Sequence, residues 1–226
     1  MNIKNLNIKK KVYNLLLCSS IFLFTTGFDN KNINTTIEDY SYGYVSEDDE
    51  LMKWSVGGNL NYALREVEKY QKFEIISSVG NCYKILYDGE YGYLKKEDVN
   101  RIDEKYIEID LSEQTLKYYV GRNLLLSSDI VSGQVGSKDT ETRIGYFNIY
   151  KFEKNATLVG RDYRQFVNYW MPFDGGIGLH DALWRKEFGN DIYLKNGSHG
   201  CINLPLNVAK DIYDNSDLDT KVLVHK

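Results

Sequence analysis

Short segments in which apolar and polar residues alternate recur through most of the chain, and this pattern limits the fold more than any other feature. Clear examples are residues 82–87, 107–111 and 114–120. A period of two places successive side chains on opposite faces of an extended strand, whereas an amphipathic helix repeats every 3.6 residues. With 19 tyrosines and only 2 prolines, the composition also favours strands. The sequence therefore predicts a mainly β protein.

Glycine turns separate several of these segments. Residues 88–90 read Asp-Gly-Glu between two alternating segments, and Gly121 follows another. Hairpin turns of this kind need a positive φ, which glycine adopts without strain. Because strands follow one another without long helices between them, we expect an antiparallel sheet or a sandwich. Two segments have helical character, residues 182–188 and residues 206–213.

The N-terminal segment has the character of an export signal. Three lysines at residues 9–11 precede a largely apolar run at residues 12–28. Positive charge before an apolar run of this length is typical of a secretory signal peptide or a membrane anchor. We therefore expect residues 1–28 to be one or the other, with lipidation at Cys18 disfavoured by the bulky residue before it. Residues 29–39, which are polar and rich in Asn and Thr, predict a linker.

Charge and cysteine usage exclude several classes of function. A formal net charge of -4 gives no bias toward polyanions, so we do not expect a nucleic acid partner. The cysteines Cys18, Cys82 and Cys201 lie far apart and form neither a disulfide framework nor a CxxC zinc signature. No motif for a cofactor is present in the sequence.

Residues 40–103 resemble the bacterial SH3-like domains that accompany cell-wall enzymes. The resemblance rests on an aromatic-rich strand at residues 82–87, a glycine turn, and a Gly-aromatic strand at residues 91–94. Those domains often carry tryptophan where this chain has Cys82, so we predict that Cys82 is a small buried residue and not a reactive thiol. The domain would either bind the cell wall or act as a spacer.

The chemistry of the chain is concentrated near its C-terminus. Residues 198–203 read Ser-His-Gly-Cys-Ile-Asn, and His180 precedes them; the whole chain has only 3 histidines and 3 cysteines. An imidazole activates a thiol by taking its proton. We predict that Cys201 is a nucleophile, with either His199 or His180 as its base. Glycine at position 200 lets a substrate carbonyl approach the main chain, so the amides of Gly200 and Cys201 could form an oxyanion hole.

This pattern of a histidine, seventeen further residues (181–197) and Ser-His-Gly-Cys-Ile-Asn resembles the signature of the L,D-transpeptidases, the YkuD family. Residues 169–173 and 178–185 are similar to the versions found in Gram-positive bacteria. The resemblance runs from about residue 106 to the C-terminus. It implies a YkuD-type β-sandwich catalytic domain with one or two short helices in residues 104–226, preceded by a small SH3-like β-barrel in residues 40–103.

The resemblance also implies an activity. Such an enzyme uses a cysteine acyl-enzyme to cross-link peptidoglycan stem peptides, with release of D-alanine. A tetrapeptide stem is the donor, and the amine of a diamino acid on a second stem is the acceptor, which gives a 3→3 link. Hydrolysis and exchange of D-amino acids at the same site remain open. We expect carbapenems to acylate the cysteine, and we expect the protein at the cell wall or the outer face of the membrane of a Gram-positive bacterium.

Individual roles follow by carrying the family pattern onto this sequence. His180 becomes the general base, His199 shapes the pocket and its hydrogen bonds, and the backbone of Gly200 contributes to the oxyanion hole. No metal is implied. The remaining candidates for contact with substrate are Ser198, Asn203, Tyr169, Trp170, Met171, Gly178 and Arg185.

Three other classes of function compete with this interpretation. Papain-like peptidases place their cysteine before the histidine, whereas both candidate histidines here precede Cys201. A zinc site of His180, His199 and Cys201 would have three suitable ligands, but their spacing is unusual for zinc. A non-catalytic wall-binding protein with the same fold is the third alternative.

Overall fold

The computed structural model describes residues 35–36, 41–54, 60–160 and 163–226. The predicted export segment, residues 1–28, lies outside the described residues. In the part of the chain that is described, no helix has the length and apolar character needed to cross a membrane.

The described chain consists mainly of strands, as the alternation predicts. The first group of elements is β1 (Thr35–Thr36), β2 (Ser41–Val45), β3 (Asp49–Trp54), β4 (Leu60–Val67), β5 (Phe73–Val79), β6 (Cys82–Tyr87), β7 (Glu90–Lys95) and β8 (Val99–Arg101). The second group is β9 (Lys105–Asp110), β10 (Thr115–Val120), β11 (Asn123–Asp129), β12 (Gly145–Asn148), β13 (Glu153–Val159), β14 (Arg164–Asp174), β15 (Ile177–Asp181), α1 (Ile192–Asn196), β16 (Ile202–Leu204), α2 (Leu206–Asn215) and β17 (Lys221–His225).

The first group forms one sheet with the strand order β4-β3-β7-β6-β5-β2-β8, and β1 pairs with β5. The hairpin predicted at residues 88–90 is present between β6 and β7, with φ values of 45° at Asp88 and 79° at Gly89. Both central residues have the positive φ that a two-residue hairpin turn requires. Cys82 is only 1% exposed, which confirms the prediction that it is buried.

The second group forms two sheets that pack face to face. Their orders are β11-β10-β9-β17-β12 and β13-β14-β15-β16. Ile107, Leu116 and Val222 from the first sheet meet Leu179 and Ile202 from the second in one core, and all five are fully buried. Inward apolar residues that alternate with outward polar ones build such a sandwich.

The predicted antiparallel pairing is incomplete, because β9 pairs with β17, and β15 with β16, in parallel. A parallel pair needs a long crossover between its strands, and the chain between β15 and β16 contains α1. This second parallel pair has a consequence for the site, since it sets His180 directly opposite Asn203.

One of the two predicted helices is wrong and the other is confirmed. Residues 182–188 form no helix; they contain a turn in which the Arg185 amide donates to Ala182 O at 3.0 Å. The helix predicted at residues 206–213 is α2. Its buried residues are Val208, Ala209 and Ile212, and Pro205 is its N-cap.

A buried charged cluster joins the first sheet to the sandwich. Glu108 on β9 is 5% exposed and so is His225 on β17; their side chains approach to 3.1 Å between Oε1 and Nε2. Lys72, just before β5, donates to the other carboxylate oxygen of Glu108 and lies 4.4 Å from the ring centroid of Tyr119. Burial alone would raise the pKa of Glu108, but the hydrogen bond from His225 and the charge of Lys72 bring it down to about 2.

Candidate active site

Cys201 lies immediately before β16, on the face of that strand turned away from the sandwich core. Ile202 and Leu204 are fully buried in the core, so the period of two turns Cys201 and Asn203 to the opposite face. Both line a cavity of about 230 Å³. The thiol is 7% exposed and is therefore reached through this cavity.

The residue before the cysteine must be glycine for reasons of backbone geometry. Gly200 has φ +108°, and a Cβ there would lie 3.1 Å from two side-chain carbons of Ile177. L-residues with a side chain rarely adopt this φ. The sharp turn at Gly200 is what delivers Cys201 to the cavity wall.

The Ser198 side chain stabilises this turn with two hydrogen bonds. Its hydroxyl donates to Cys201 O at 2.5 Å and accepts the Gly200 amide at 3.0 Å. Gly200 O in turn accepts the hydroxyl of Thr142 at 2.7 Å. The Gly200 N–H, which we expected to serve an oxyanion hole, is thus engaged within the loop, whereas the Cys201 N–H has no hydrogen-bond partner among the described residues.

His180 is buried beside the cavity and packs against two indole rings. It lies in β15 and is 3% exposed. Its ring centroid lies 5.8 Å from that of Trp170 and 5.9 Å from that of Trp184. Burial and these two aromatic contacts restrict the orientation of the imidazole.

Hydrogen bonds assign the tautomer of His180. Nδ1 lies 2.9 Å from Asp181 O, an acceptor, so Nδ1 carries the proton. Nε2 lies 3.2 Å from Nδ2 of Asn203, while Oδ1 of that amide accepts from Arg185 Nε at 2.7 Å. A guanidinium only donates, so the amide must face His180 with its NH₂ group. Nε2 is therefore the acceptor, with its lone pair available to take a proton.

The thiol and the imidazole are not hydrogen bonded to each other among the described residues. The thiol of Cys201 donates to Gly176 O at 3.7 Å. Burial raises the pKa of the Cys201 thiol to about 11, and a hydrogen bond with the Gly178 backbone only partly offsets this. The resting cysteine is therefore a neutral thiol at neutral pH.

The imidazole is also neutral at rest. Burial lowers the pKa of His180 and the charge of Arg185 lowers it further; the hydrogen bond to the Asp181 backbone and the Asp181 charge act in the opposite direction. A neutral thiol beside a neutral base differs from the thiolate–imidazolium pair that some cysteine enzymes maintain. Activation of this thiol would therefore require transfer of its proton.

We expect this resting state to appear in the pH dependence of thiol alkylation. Because the pKa of Cys201 is raised to about 11, its thiolate fraction grows about tenfold per pH unit from pH 7 to about pH 10. The rate of carbamidomethylation of Cys201 by iodoacetamide, followed by peptide mass spectrometry, should grow in the same proportion. Cys82 in the same digest serves as the internal reference. A rate that levels off near neutral pH would instead indicate a preformed ion pair.

The structure brings some of the candidate substrate residues to the cavity and leaves others in the core. Alternation along β14 turns Trp170 toward His180, and Tyr169 and Met171 to the opposite face, where Met171 is fully buried. Tyr169 packs against Tyr213 there. The cavity is lined by Ser198, Asn203 and Arg185 among these candidates, and not by Tyr169, Trp170 or Met171.

Gly178 and Asp181 have structural positions. A Cβ at Gly178 would lie 2.6 Å from Met171 O, so the close approach of β14 and β15 requires glycine. The Asp181 carboxylate accepts the amides of Asn168 and Tyr169, each at 2.8 Å. These bonds hold the carboxylate away from the imidazole. Of the groups of Asp181, it is the backbone carbonyl that bonds to His180.

His199 is exposed at the rim of the cavity, where its ring stacks on Tyr163 at 4.9 Å with 21° between the planes. Sequence reasoning missed Tyr163, and also the cavity-lining residues Trp184, Leu158 and Gln165. Leu158 and Gln165 face each other across the β13–β14 hairpin. The alternation of these two residues with polar neighbours indicates that they share one face of the hairpin. It does not indicate that this face packs over residues 198–201, because those residues lie far away in the sequence.

The described residues contain no group of three or more His, Cys, Asp or Glu placed to hold a metal ion. His180 Nε2 and Cys201 Sγ instead bond to Asn203 and to Gly176 O.

Comparison with known proteins gives concordant matches. A family model, YkuD, described as the L,D-transpeptidase catalytic domain, matches residues 104–224. The catalytic domain of the E. faecium L,D-transpeptidase acylated by ertapenem is 41% identical with a TM-score of 0.50, and the match covers 56% of this chain and 100% of that one.

Two longer proteins are also similar. A mutant of the Enterococcus faecium L,D-transpeptidase is 30% identical with a TM-score of 0.53, over 81% of this chain and 76% of that one. The match to this mutant therefore extends beyond residues 104–224, the part of the chain that the family model matches. YciB of Bacillus subtilis (strain 168), named provisionally as an L,D-transpeptidase, is 27% identical over 143 residues, 60% of this chain and 70% of that protein.

Proposed function

This chain belongs to the YkuD family of L,D-transpeptidase catalytic domains, and from this we propose that it forms 3→3 cross-links between peptidoglycan stem peptides through an acyl-enzyme on Cys201. The family acts on peptidoglycan peptides. The observation that carries the proposal is the cavity that Cys201 and His180 both line, with a basic Nε2 on the imidazole and a thiol at the wall.

The first half-reaction makes the thioester. Nε2 of His180 exchanges its bond with Asn203 for one with the thiol and takes the proton, and the Cys201 sulfur attacks the carbonyl between the L-centre of the donor's diamino acid and the terminal D-alanine. The C–N bond breaks, and the imidazolium returns its proton to the amine of the departing D-alanine. An imidazole suits both transfers because it gains and loses a proton near neutral pH.

The second half-reaction restores the enzyme. The side-chain amine of a diamino acid on a second stem attacks the thioester carbonyl, gives a proton to His180, and the C–S bond breaks to return the thiol of Cys201. Water in place of the amine gives a tripeptide, and a free D-amino acid gives exchange. Two half-reactions that share one covalent intermediate are ping-pong catalysis.

We assign the oxyanion formed in each half-reaction to the backbone N–H of Cys201. This amide has no hydrogen-bond partner among the described residues, while the neighbouring Gly200 amide is held by Ser198. One such donor typically contributes about 10²–10³ in rate. Serine at position 198 thus acts by shaping the turn.

Contacts with the donor peptide are proposed for the residues that line the cavity. Arg185 uses its Nε and Nη1 groups on Asn203 and on Asn196 O, and a guanidinium has further N–H groups to offer a substrate carboxylate. His199 stacked on Tyr163 forms one wall. Trp170 does not line the cavity and contacts the site only through His180.

We propose that the remainder of the chain places this site outside the cell. Residues 1–28 would export or anchor the protein, residues 29–39 would be a linker, and residues 40–103 would be an SH3-like domain that precedes the catalytic residues 104–226. The lysines and the apolar run near the N-terminus support export. The antiparallel sheet of β2–β8 with its own buried core supports a separate small domain.

The function is tested with purified disaccharide stem peptides. We expect the protein to release D-alanine from tetrapeptide stems and to form dimers whose mass equals two stems minus one D-alanine. Stems that end in D-Ala-D-Ala are the matched control, because their terminal bond joins two D-centres and should stay intact. Ertapenem should add its whole mass to the protein at Cys201. Failure to release D-alanine from tetrapeptides and to form the ertapenem adduct would contradict the proposal.

A further inference from the structure

We propose that Arg185 is a positioning residue for this site: by holding the side-chain amide of Asn203, it keeps Nε2 of His180 unprotonated, while Asp181 O holds the ring proton on Nδ1. The kinetic consequence of this role depends on the proposed function. The structural consequence, the protonation of one histidine, does not.

Arg185 is fixed by two hydrogen bonds from two directions. Arg185 closes the turn at residues 182–185, where a helix was predicted, and its guanidinium is partly buried. Nε donates to Asn203 Oδ1 at 2.7 Å, and Nη1 donates to Asn196 O, the last residue of α1, at 2.8 Å. The planar fork of arginine allows both bonds at once, which a single ammonium group in this position would not reproduce.

The first of these bonds fixes the orientation of the Asn203 amide. If the amide flipped, its NH₂ group would face the donors of Arg185 and its oxygen would face His180. Two donors would then oppose each other at 2.7 Å, which leaves a buried polar group unsatisfied and costs about 1–3 kcal/mol. Arg185 thus keeps the NH₂ group of Asn203 directed at Nε2 of His180.

This orientation favours one form of the imidazole. An NH₂ group at 3.2 Å from Nε2 needs a lone pair there, so it stabilises the neutral ring with its proton on Nδ1 and opposes the imidazolium. Without Arg185 the amide is free to turn its oxygen to Nε2, which would stabilise the protonated ring. The role of Arg185 is to keep His180 a base.

Other charged and titratable groups near His180 do not provide this control. The carboxylate of Asp181 is engaged by Asn168 and Tyr169. Across the cavity, Cys201 bonds to Gly176 O and His199 stacks on Tyr163. The two rings that contact the imidazole, Trp170 and Trp184, carry no charge. Arg185, through Asn203, is the cation that acts on Nε2 among the described residues.

The inference is tested by ¹⁵N NMR of the histidine rings during a pH titration of the full chain. Only 3 histidines are present, and His180 is assigned by its loss in His180→Gln. We expect the parent to show protonated Nδ1 and unprotonated Nε2. In Arg185→Gln we expect the titration midpoint of His180 to rise by about one pH unit, a tenfold change in its protonation equilibrium, with Nδ1 still protonated because Asp181 O remains its acceptor.

Kinetics supply the second readout. The acidic limb of kcat/KM for D-alanine release reports the essential base of the free enzyme. It should move to higher pH in Arg185→Gln by the same amount as the NMR midpoint. A role in binding the substrate alone would raise KM and leave the acidic limb in place.

Two further variants complete the experiment. Lys186→Gln removes a positive charge one position along the chain and should leave the His180 midpoint unchanged. Arg185→Lys keeps the charge without the fork; it should shift the midpoint in the same direction by less, and it replaces Arg185→Gln if that variant does not fold. A parental titration midpoint of His180 in the folded Arg185 variant overturns the inference. If the parent itself releases no D-alanine, the proposed function fails, and the NMR result still decides the role of Arg185.

Discussion

Cys201→Ala should abolish D-alanine release and ertapenem acylation, with a loss of about 10⁴-fold or more in rate. Without the Cys201 sulfur no acyl-enzyme can form, because the nucleophile and its base act as a unit. The remaining catalysis would come only from substrate binding and from the oxyanion donor. The change should leave the fold intact, because alanine loses only a sulfur atom at a position that lines a cavity. D-Alanine release by a coupled assay and intact-protein mass spectrometry after ertapenem measure the two effects.

Cys82→Ala is the matched control for this variant. Cys82 is a second buried cysteine, 1% exposed, and it lies in β6 of the first sheet. Its substitution should lower stability slightly and leave turnover and acylation at the parent level. If Cys201→Ala kept most of the parent's turnover, the cysteine mechanism would be wrong even though the family assignment would stand.

His180→Gln is expected to lower kcat by about 10³-fold, within the range of general acid–base catalysis. Glutamine keeps a polar side chain near Asn203 but has no group that gains and loses a proton near neutral pH. The loss should be in acylation, since a thiol with a pKa of about 11 is a weak nucleophile without a base. Single-turnover acylation by ertapenem, followed by mass spectrometry, measures this step directly.

His199→Gln tests the choice between the two histidines. This ring is exposed and stacked on Tyr163, and it has no hydrogen bond to the thiol among the described residues. We expect an effect of less than about tenfold, carried mainly by KM, since a change in uniform binding alters KM without kcat. A greater loss of kcat in His199→Gln than in His180→Gln would reverse the assignment of the base.

Local sequence patterns were sufficient to predict most of the strands and to identify Cys201 and His180 as candidate reactive residues. The turn at Gly89 and the burial of Cys82 follow from residues within a few positions along the chain. The placement of Cys201 and an upstream histidine at one cavity was likewise predictable, because so few residues in the chain can activate a thiol.

Long-range contacts determined the features that sequence reasoning missed. Residues 182–188 contain good helix formers, yet Ala182 N donates to Leu204 O at 2.9 Å and Arg185 reaches Asn203. These tertiary bonds outweigh a modest helix propensity. The parallel register that sets His180 opposite Asn203 depends on a crossover whose path no local pattern specifies.

The contacts of the buried Glu108 carboxylate extend beyond the residues that the family model matches. The family model ends at residue 224 and begins at residue 104, so Glu108 lies inside it while both of its partners, Lys72 and His225, lie outside. Replacing both partners within the full chain would leave Glu108 as an uncompensated buried charge, which typically costs about 3–5 kcal/mol. The sandwich therefore depends for its stability on Lys72, which lies outside it just before β5, and on His225 at the end of β17.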